Sequence, residues 1–236
     1  MAADDFNYDS IAADYASGVD RAPYNALYER PAMMGLLPDV SGLRILDAGC
    51  GSGWYAEQLL DRGAKVDAFD ASESMVEYAR RRLSIRNADG RISIQVAELG
   101  SRLPFEDHTF DGAVSPLVLH YLSDWRPALK EIRRVLKPAG WFQFSTHHPS
   151  ADAALFNTHD YFTTEHVVDH WEWVGRVEFF RRSLTEIGAS ILDSGFTIEK
   201  MVEPAPTEEF RAAKPESYVK LMQQPEFLIF RIRPVA

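Results

Sequence analysis

Between Leu46 and Gly53 the chain reads Leu-Asp-Ala-Gly-Cys-Gly-Ser-Gly, three glycines at alternate positions directly behind an apolar run. Glycine has no Cβ, so such a segment can turn tightly and bring its main-chain amides close to a ligand. About twenty residues on, Asp70 ends the next apolar run, where a carboxylate can accept hydrogen bonds from ribose hydroxyls. Together these residues describe an adenosine site. In one register they also fit a dinucleotide fingerprint, Gly51-Ser52-Gly53-Trp54-Tyr55-Ala56 matching G-x-G-x-x-A with Asp70 as the ribose acid, so glycine spacing alone admits a nicotinamide cofactor. Asp47 argues against it. A carboxylate ahead of the glycines repels a pyrophosphate and attracts, directly or through water, the ammonium of an amino-acid-bearing cofactor.

Proton-handling side chains gather at two later points. Ser115-Pro116-Leu117-Val118-Leu119-His120-Tyr121 follows one apolar run, and Ser145-Thr146-His147-His148-Pro149 follows another. Ligands of open α/β sheets bind outside the carboxyl ends of the strands, so these are the places for a base. His148 is the first candidate, since a residue before proline is held extended at the strand exit. His120 is the second, and it equally suits a packing role with a hydrogen bond to a carbonyl. Strand alternation turns His147 the opposite way from His148. His159 and His166, with Asp152, Asp160 and Asp169 nearby, match no metal-ligand spacing, and no metal is assigned to them. Tyr161, Phe162, Trp171, Trp173, Phe179 and Phe180 fill an insertion whose Val167-Val168 and 171–180 segments can pair as a hairpin. About half of these rings suit a satellite core. The rest, with His147, Tyr161, Trp171 and Trp173 as candidates, would face a flat or apolar substrate.

The elements that must position these residues alternate strand with helix, the pattern of a doubly wound, mostly parallel α/β sheet. Strands are expected near 43–48, 65–70, 92–97, 110–115, 140–146, 196–203 and 226–233, seven in all, the last antiparallel. Helices are expected near 54–63, 73–86, 124–136 and 183–194, with Gly63 and Gly140 at helix or turn ends. Tyr8 to Leu37 reads as helices with a proline-containing break. One domain over 1–236 results: an N-terminal helical cap (1–40), a cofactor-binding core (41–148), an insertion roofing the substrate (149–182) and a C-terminal completion of the sheet (183–236). Arg80, Arg81 and Arg82 ride a helix and read as a solvated face.

Composition sets outer bounds. A formal net charge of -10 disfavours phosphate backbones and anionic lipid, so no nucleic acid or membrane partner is expected. The single cysteine, Cys50, allows no intrachain disulfide, and without a recognisable secretory leader the expected location is cytoplasmic.

The order and spacing of LDAGCGSG, FDASESMVEYAR, LPFEDHTFD and EIRRVLKPAGWF resemble the class I S-adenosylmethionine-dependent methyltransferases, in particular the bacterial small-molecule group. The resemblance runs over nearly the whole chain. It implies that Gly49, Gly51 and Gly53 line the methionine and ribose portions of S-adenosylmethionine, with Asp47 and Ser115 beside them. Asp70 would hold the ribose hydroxyls, Ala71 and Met75 flank the adenine, and Ala97, Glu98 and Leu99 reach its edge. Glu98 stands where many relatives carry aspartate, and Ala139 replaces a common glycine. The family's N-terminal lid would bring Tyr15 to the cofactor and Tyr24 to the substrate, with Tyr8 on the same wall, and relatives often carry a His-Pro pair where His148 stands. The implied reaction moves a methyl group to an O, N or C atom of a small-molecule acceptor, in a monomer or homodimer. Two alternatives stay open: a nicotinamide-dependent oxidoreductase, which lacks the later blocks, and an S-adenosylmethionine-binding protein with a non-methylating role such as cyclisation.

Overall fold

Strands that are buried on both faces need near-continuous apolar sequence, and the central strands have it. A computed structural model describes residues 13, 16, 18–84, 90–171 and 174–235. Its main sheet contains β1 (Arg44–Ala48), β2 (Lys65–Asp70), β3 (Ile92–Val96), β4 (Phe110–Pro116), β5 (Leu136–His147), β8 (Phe196–Val202) and β9 (Phe227–Pro234). The order is β3-β2-β1-β4-β5-β9-β8. β1 to β5 are parallel, and β9 runs antiparallel to both its neighbours, β5 and β8. This is the expected seven-stranded α/β sheet. The chain leaves β1 toward β2 on one side and returns as β4 on the other, so a crevice opens at their carboxyl ends.

Helices α1 (Arg30–Leu36), α2 (Trp54–Asp61), α3 (Glu73–Leu83), α4 (Arg126–Val135) and α6 (Leu184–Asp193) flank the sheet, with local signals fixing their ends. Ser72 accepts the Met75 amide at 3.1 Å to cap α3, and Ser183 does the same for Glu186 at the start of α6. In α4 the buried residues Ala128, Leu129, Ile132 and Val135 recur at helical spacing and pack on the sheet.

Several boundaries differ from expectation. β5 starts at Leu136, which pairs with Phe110, and the register then slips before Gly112 meets Trp141. A Cβ on Gly112 would lie 2.3 Å from the Trp141 ring, so this glycine lets the indole cross β4. Gly140 lies within β5 rather than at a helix end, with Lys137 O only 2.9 Å from where its Cβ would stand. In the N-terminal cap the expected proline-containing break falls at Ala22, before Pro23, and a π-helical turn at Asn25–Glu29 then leads into α1, whose first turn holds Pro31.

Three helices appear where none was expected. α5 (Pro149–Leu155) follows β5, while α7 (Glu208–Ala213) and α8 (Pro215–Gln223) lie between β8 and β9. The Thr207 side chain caps α7 and Pro215 opens α8. Phe210 on α7 is fully buried and meets Tyr24 and Tyr28 edge-on at 5.3 and 6.1 Å, joining the cap to the C-terminal half. Phe210→Ala is therefore expected to cost about 3–5 kcal/mol of stability. Urea unfolding measures the loss, and faster amide exchange across 25–36 should accompany it.

The insertion forms a hairpin of β6 (Glu165–Trp171) and β7 (Gly175–Arg181), Val167 opposite Phe179 and Trp171 opposite Gly175. Buried Arg181 anchors it, donating to Glu165 and to the Asp160 carbonyl at 2.8 Å. Among the described residues no helix is long and apolar enough to cross a membrane.

Candidate active site

The glycine turn leaves β1 with the Gly49 and Cys50 amides both donating to Phe69 O at 2.9 Å, which ties it to β2. The three glycines then do different things. Gly49 and Gly53 have φ of 77° and 85°; a Cβ on Gly49 would meet Val118 Cγ2 at 2.5 Å, and one on Gly53 would press on Ala79 of α3. Among the described residues nothing lies within 4 Å of the Gly51 Cβ position, so they leave that face of the turn open. The Gly51 amide donates to Asp70 Oδ2 at 2.8 Å and the Ser72 amide to Oδ1 at 3.0 Å, which hold the carboxylate in one orientation at the end of β2.

Asp47 is fully buried one residue before the end of β1, and among the described residues neither carboxylate oxygen has a well-formed hydrogen bond. Burial pushes its pKa up to about 7, the Asp70 charge adds to the shift, and the nearby Ala56 amide opposes it. Such an orphaned acid is costly unless a cation or donor meets it.

The residues expected around the adenine gather on the same side, at the ends of β2 and β3. Met75 and Leu99 are buried, Ala71 and Glu98 are exposed, and the Ala97 amide donates to Asp70 O at 3.1 Å. Ser115 is buried with its hydroxyl donating to Ala48 O at 2.8 Å, bridging β4 to β1 behind the turn. Beyond it Leu117 has φ of 55°, a strained value for a bulky residue, and passes the chain to Val118 against Gly49.

The cap supplies residues that local sequence did not single out. Glu29, on the π-helical turn, is buried and accepts the Tyr55 hydroxyl at 2.7 Å and the Ser145 hydroxyl at 2.6 Å. Burial raises its pKa against those two hydrogen bonds and the Arg30 charge. Arg30 pairs with Asp20 at 3.0 Å and lies 4.2 Å over the Trp54 ring. Arg82 departs from the solvated face expected for it: it is partly buried, pairs with Asp20 and donates to Ser52 O at 3.2 Å, fastening the cap to the glycine turn. Tyr24 packs against Phe210 in the cap's own cluster. Tyr8, Tyr15 and Trp173 lie outside the described residues.

At the ends of β4 and β5 the two adjacent histidines part company. His148 is extended (φ −80°, ψ 124°), as the following proline requires, and caps α5: the Ser150 amide donates to its Nδ1 at 3.2 Å. Its Nε2 meets Glu203 Oε1 at 2.8 Å, so both ring nitrogens are engaged away from β4. His147 points the other way, under the hairpin, and stacks on His120 with ring centroids 4.1 Å apart. Phe179 stands edge-on to His147 at 4.5 Å, and Trp171 lies 6.4 Å away. Tyr161 is not brought to this cluster; its hydroxyl accepts the Leu184 amide at 3.1 Å at the start of α6.

Among the described residues neither His120 nitrogen has a partner, nor has His147 Nδ1, which stands 3.6 Å from Asp152 Oδ1. Burial drives His120 well below its ordinary pKa and His147 down to about 4, so both rings are neutral at pH 7. Burial pushes Asp152 up to about 8, opposed by Arg181 and reinforced by Asp169 and Glu226. Among the described residues no group of three or more His, Cys, Asp or Glu is arranged to hold a metal ion.

Residues 46–144 match a family model described as a methyltransferase domain. The chain is 40% identical over 106 residues to a malonyl-acyl-carrier protein O-methyltransferase of Erwinia pyrifoliae, covering 45% of this chain and 38% of that protein. It is 41% identical over 101 residues to a demethylmenaquinone methyltransferase of Clavibacter sepedonicus, covering 43% of this chain and 40% of that protein. It thus spans less than half the length of these two curated relatives. A solved S-adenosylmethionine dependent methyltransferase from Mesorhizobium loti superposes with a TM-score of 0.70 at 28% identity, covering 92% of this chain and 100% of that one. The sheet order, the glycine turn between its two acids and the matched domain together give the chain the fold of the class I S-adenosylmethionine-dependent methyltransferases.

Proposed function

We propose that the chain transfers a methyl group from S-adenosylmethionine to a small-molecule acceptor held between the carboxyl ends of β4 and β5 and the β6–β7 hairpin, with residues 149–182 as its roof. The observation that carries the reading is Asp47, a buried carboxylate that meets no well-formed hydrogen bond among the described residues, beside a glycine turn that those residues leave open. An amino-acid ammonium satisfies that acid and a pyrophosphate does not. The residues therefore fit the cofactor: Asp47 faces its ammonium, Gly51 gives room, Asp70 takes the ribose hydroxyls, and Ala71, Met75, Ala97, Glu98 and Leu99 border the adenine. When bound, the cofactor supplies a sulfonium methyl group open to in-line displacement.

What remains for the protein is alignment and exclusion of water, which account for much of the rate in such a displacement. The cap, fastened through Asp20, Arg30 and Arg82, covers one side, and the hairpin, anchored by Arg181, covers the other. Aromatic rings around His120 and His147 suit a flat or apolar acceptor. The acceptors named for the two curated relatives, a malonyl group on acyl-carrier protein and demethylmenaquinone, differ enough to leave the acceptor atom open.

Titration of the full chain with S-adenosylhomocysteine and, separately, with NAD is the first test. The reading expects binding of the homocysteine and none of the nicotinamide cofactor; the reverse would overturn it. Incubation with methyl-labelled S-adenosylmethionine and a metabolite panel then separates methylation from a non-methylating role, which would bind cofactor and transfer no label.

A further inference from the structure

The pairing of His147 with Asp152 follows from how the chain leaves β5. His148 caps α5, and its carbonyl accepts the Asp152 amide at 3.1 Å, so Asp152 comes round one helical turn later, on the side where His147 lies. Its Oδ1 then stands 3.6 Å from His147 Nδ1, both groups being largely buried. That separation is longer than a hydrogen bond, and such contacts often tighten only when substrate arrives. The run His147-His148-Pro149-Ser150-Ala151-Asp152 thereby brings an imidazole and a carboxyl together at the mouth of the crevice.

We propose that His147 is the general base for methyl transfer, that Asp152 orients it, and that the acceptor presents a weakly acidic hydroxyl on a flat or apolar body. This rests on the methyl-transfer reading. Phe179, Trp171, Tyr121 and Phe227 surround the stacked imidazoles, and Phe156 backs Phe179. Of the two nearby cations, Arg181 serves Glu165 and two loop carbonyls, while Arg182 donates to Leu122 O through Nη2 and lies 4.5 Å over Trp125, its Nε and Nη1 meeting no partner among the described residues. A neutral hydroxyl suits a neutral imidazole.

In the base-competent form the Asp152 carboxylate accepts Nδ1–H, leaving the Nε2 lone pair of His147 for the acceptor. The hydroxyl proton passes to Nε2, the freed oxygen pair forms the new bond to the methyl carbon, and the carbon–sulfur pair stays on sulfur as a neutral thioether. The imidazolium, balanced by Asp152, gives its proton to solvent when product leaves. Charged and titratable groups facing the pair are Arg181 from β7, Asp169 from β6, Glu226 before β9, and His120 with Arg182 beyond it. Because Asp152 keeps its proton up to about pH 8, the base-competent population grows as pH rises through that value.

The test uses the full chain with 15N-labelled histidine, saturated with S-adenosylhomocysteine. The His147 ring resonances should inflect near pH 8, and Asp152→Asn should remove the inflection while cofactor affinity stays within about threefold. 4-Ethylphenol should bind at least about fivefold more tightly than ethylbenzene, and His147→Asn should abolish that preference. An inflection that survives Asp152→Asn, or a phenol preference missing from the wild type or surviving His147→Asn, overturns the pair. Asp152→Glu covers the case in which the asparagine variant does not fold: it should keep an inflection at a displaced pH, and losing it there also counts against the pair. Failure of the wild type to bind S-adenosylhomocysteine would instead refute the methyl-transfer reading, and the same titration on the unliganded chain would still judge the pair.

Discussion

Replacing Asp47 with asparagine should weaken binding of S-adenosylhomocysteine by about a hundredfold or more at pH 8, since removing one partner of a buried ion pair costs about 3–5 kcal/mol. The pH dependence supplies the sign. In the unliganded chain Asp47 titrates at about 7, held up first by burial and then by the Asp70 charge. A bound ammonium pulls that pKa down, so below about pH 7 each unit of acidity should cost about tenfold in affinity, with uptake of cofactor releasing a proton. Above pH 7 affinity should level off. Calorimetry in buffers of different ionisation enthalpy measures both effects, and Asp47→Asn should erase them.

The same substitution should raise the stability of the unliganded protein. A group whose folded pKa lies above its unfolded value withdraws stability as pH climbs between the two, here from about 4 to about 7. Wild type therefore loses ground to Asp47→Asn across that window, by about 4 kcal/mol once the carboxylate is fully charged. Binding falls while stability rises. A residue present only for packing would not give that pair of opposite signs.

Gly49→Ala should destabilise the chain by about 3 kcal/mol, combining a left-handed conformation imposed on an L-residue with overpacking. The new methyl would lie 2.5 Å from Val118 Cγ2 and 2.7 Å from Cγ1. Val118→Ala in the same chain should return the steric part and leave the backbone part, since φ stays at 77°. Urea unfolding of the two single variants and the double measures the coupling, and purely additive losses would show that the methyl and Val118 do not meet. Because Val118 follows strained Leu117, the clash should also disturb the loop after β4.

Much of this was legible because it is local. Apolar runs, helix caps and the glycine turn each declare themselves within a dozen residues, so the seven strands of a mostly parallel sheet and the place of Asp70 at the end of β2 could be read from pattern, while the antiparallel last strand followed from the usual topology. The Gly112–Trp141 crossing was not, since it depends on two strands meeting, and it moved the start of β5. The short helices α7 and α8 carried weak signals in Thr207 and Pro215 but little apolar periodicity. Glu29 meets Ser145 across 116 positions of sequence, beyond any local pattern. Alternation separated His147 from His148 correctly. Which of the two faces His120 depended on the hairpin and on α5, and the structure turns His147 inward while His148 caps the helix.

The most direct measurement is a crystal structure of the full chain with S-adenosylhomocysteine. The ribose hydroxyls should lie within about 3 Å of the Asp70 carboxylate, the ammonium should meet Asp47 directly or through one water, and the sulfur should face the stacked His120 and His147 rings. A ligand lying elsewhere, or one turned so that its amino end avoids Asp47, would contradict the assignment of this crevice to methyl transfer.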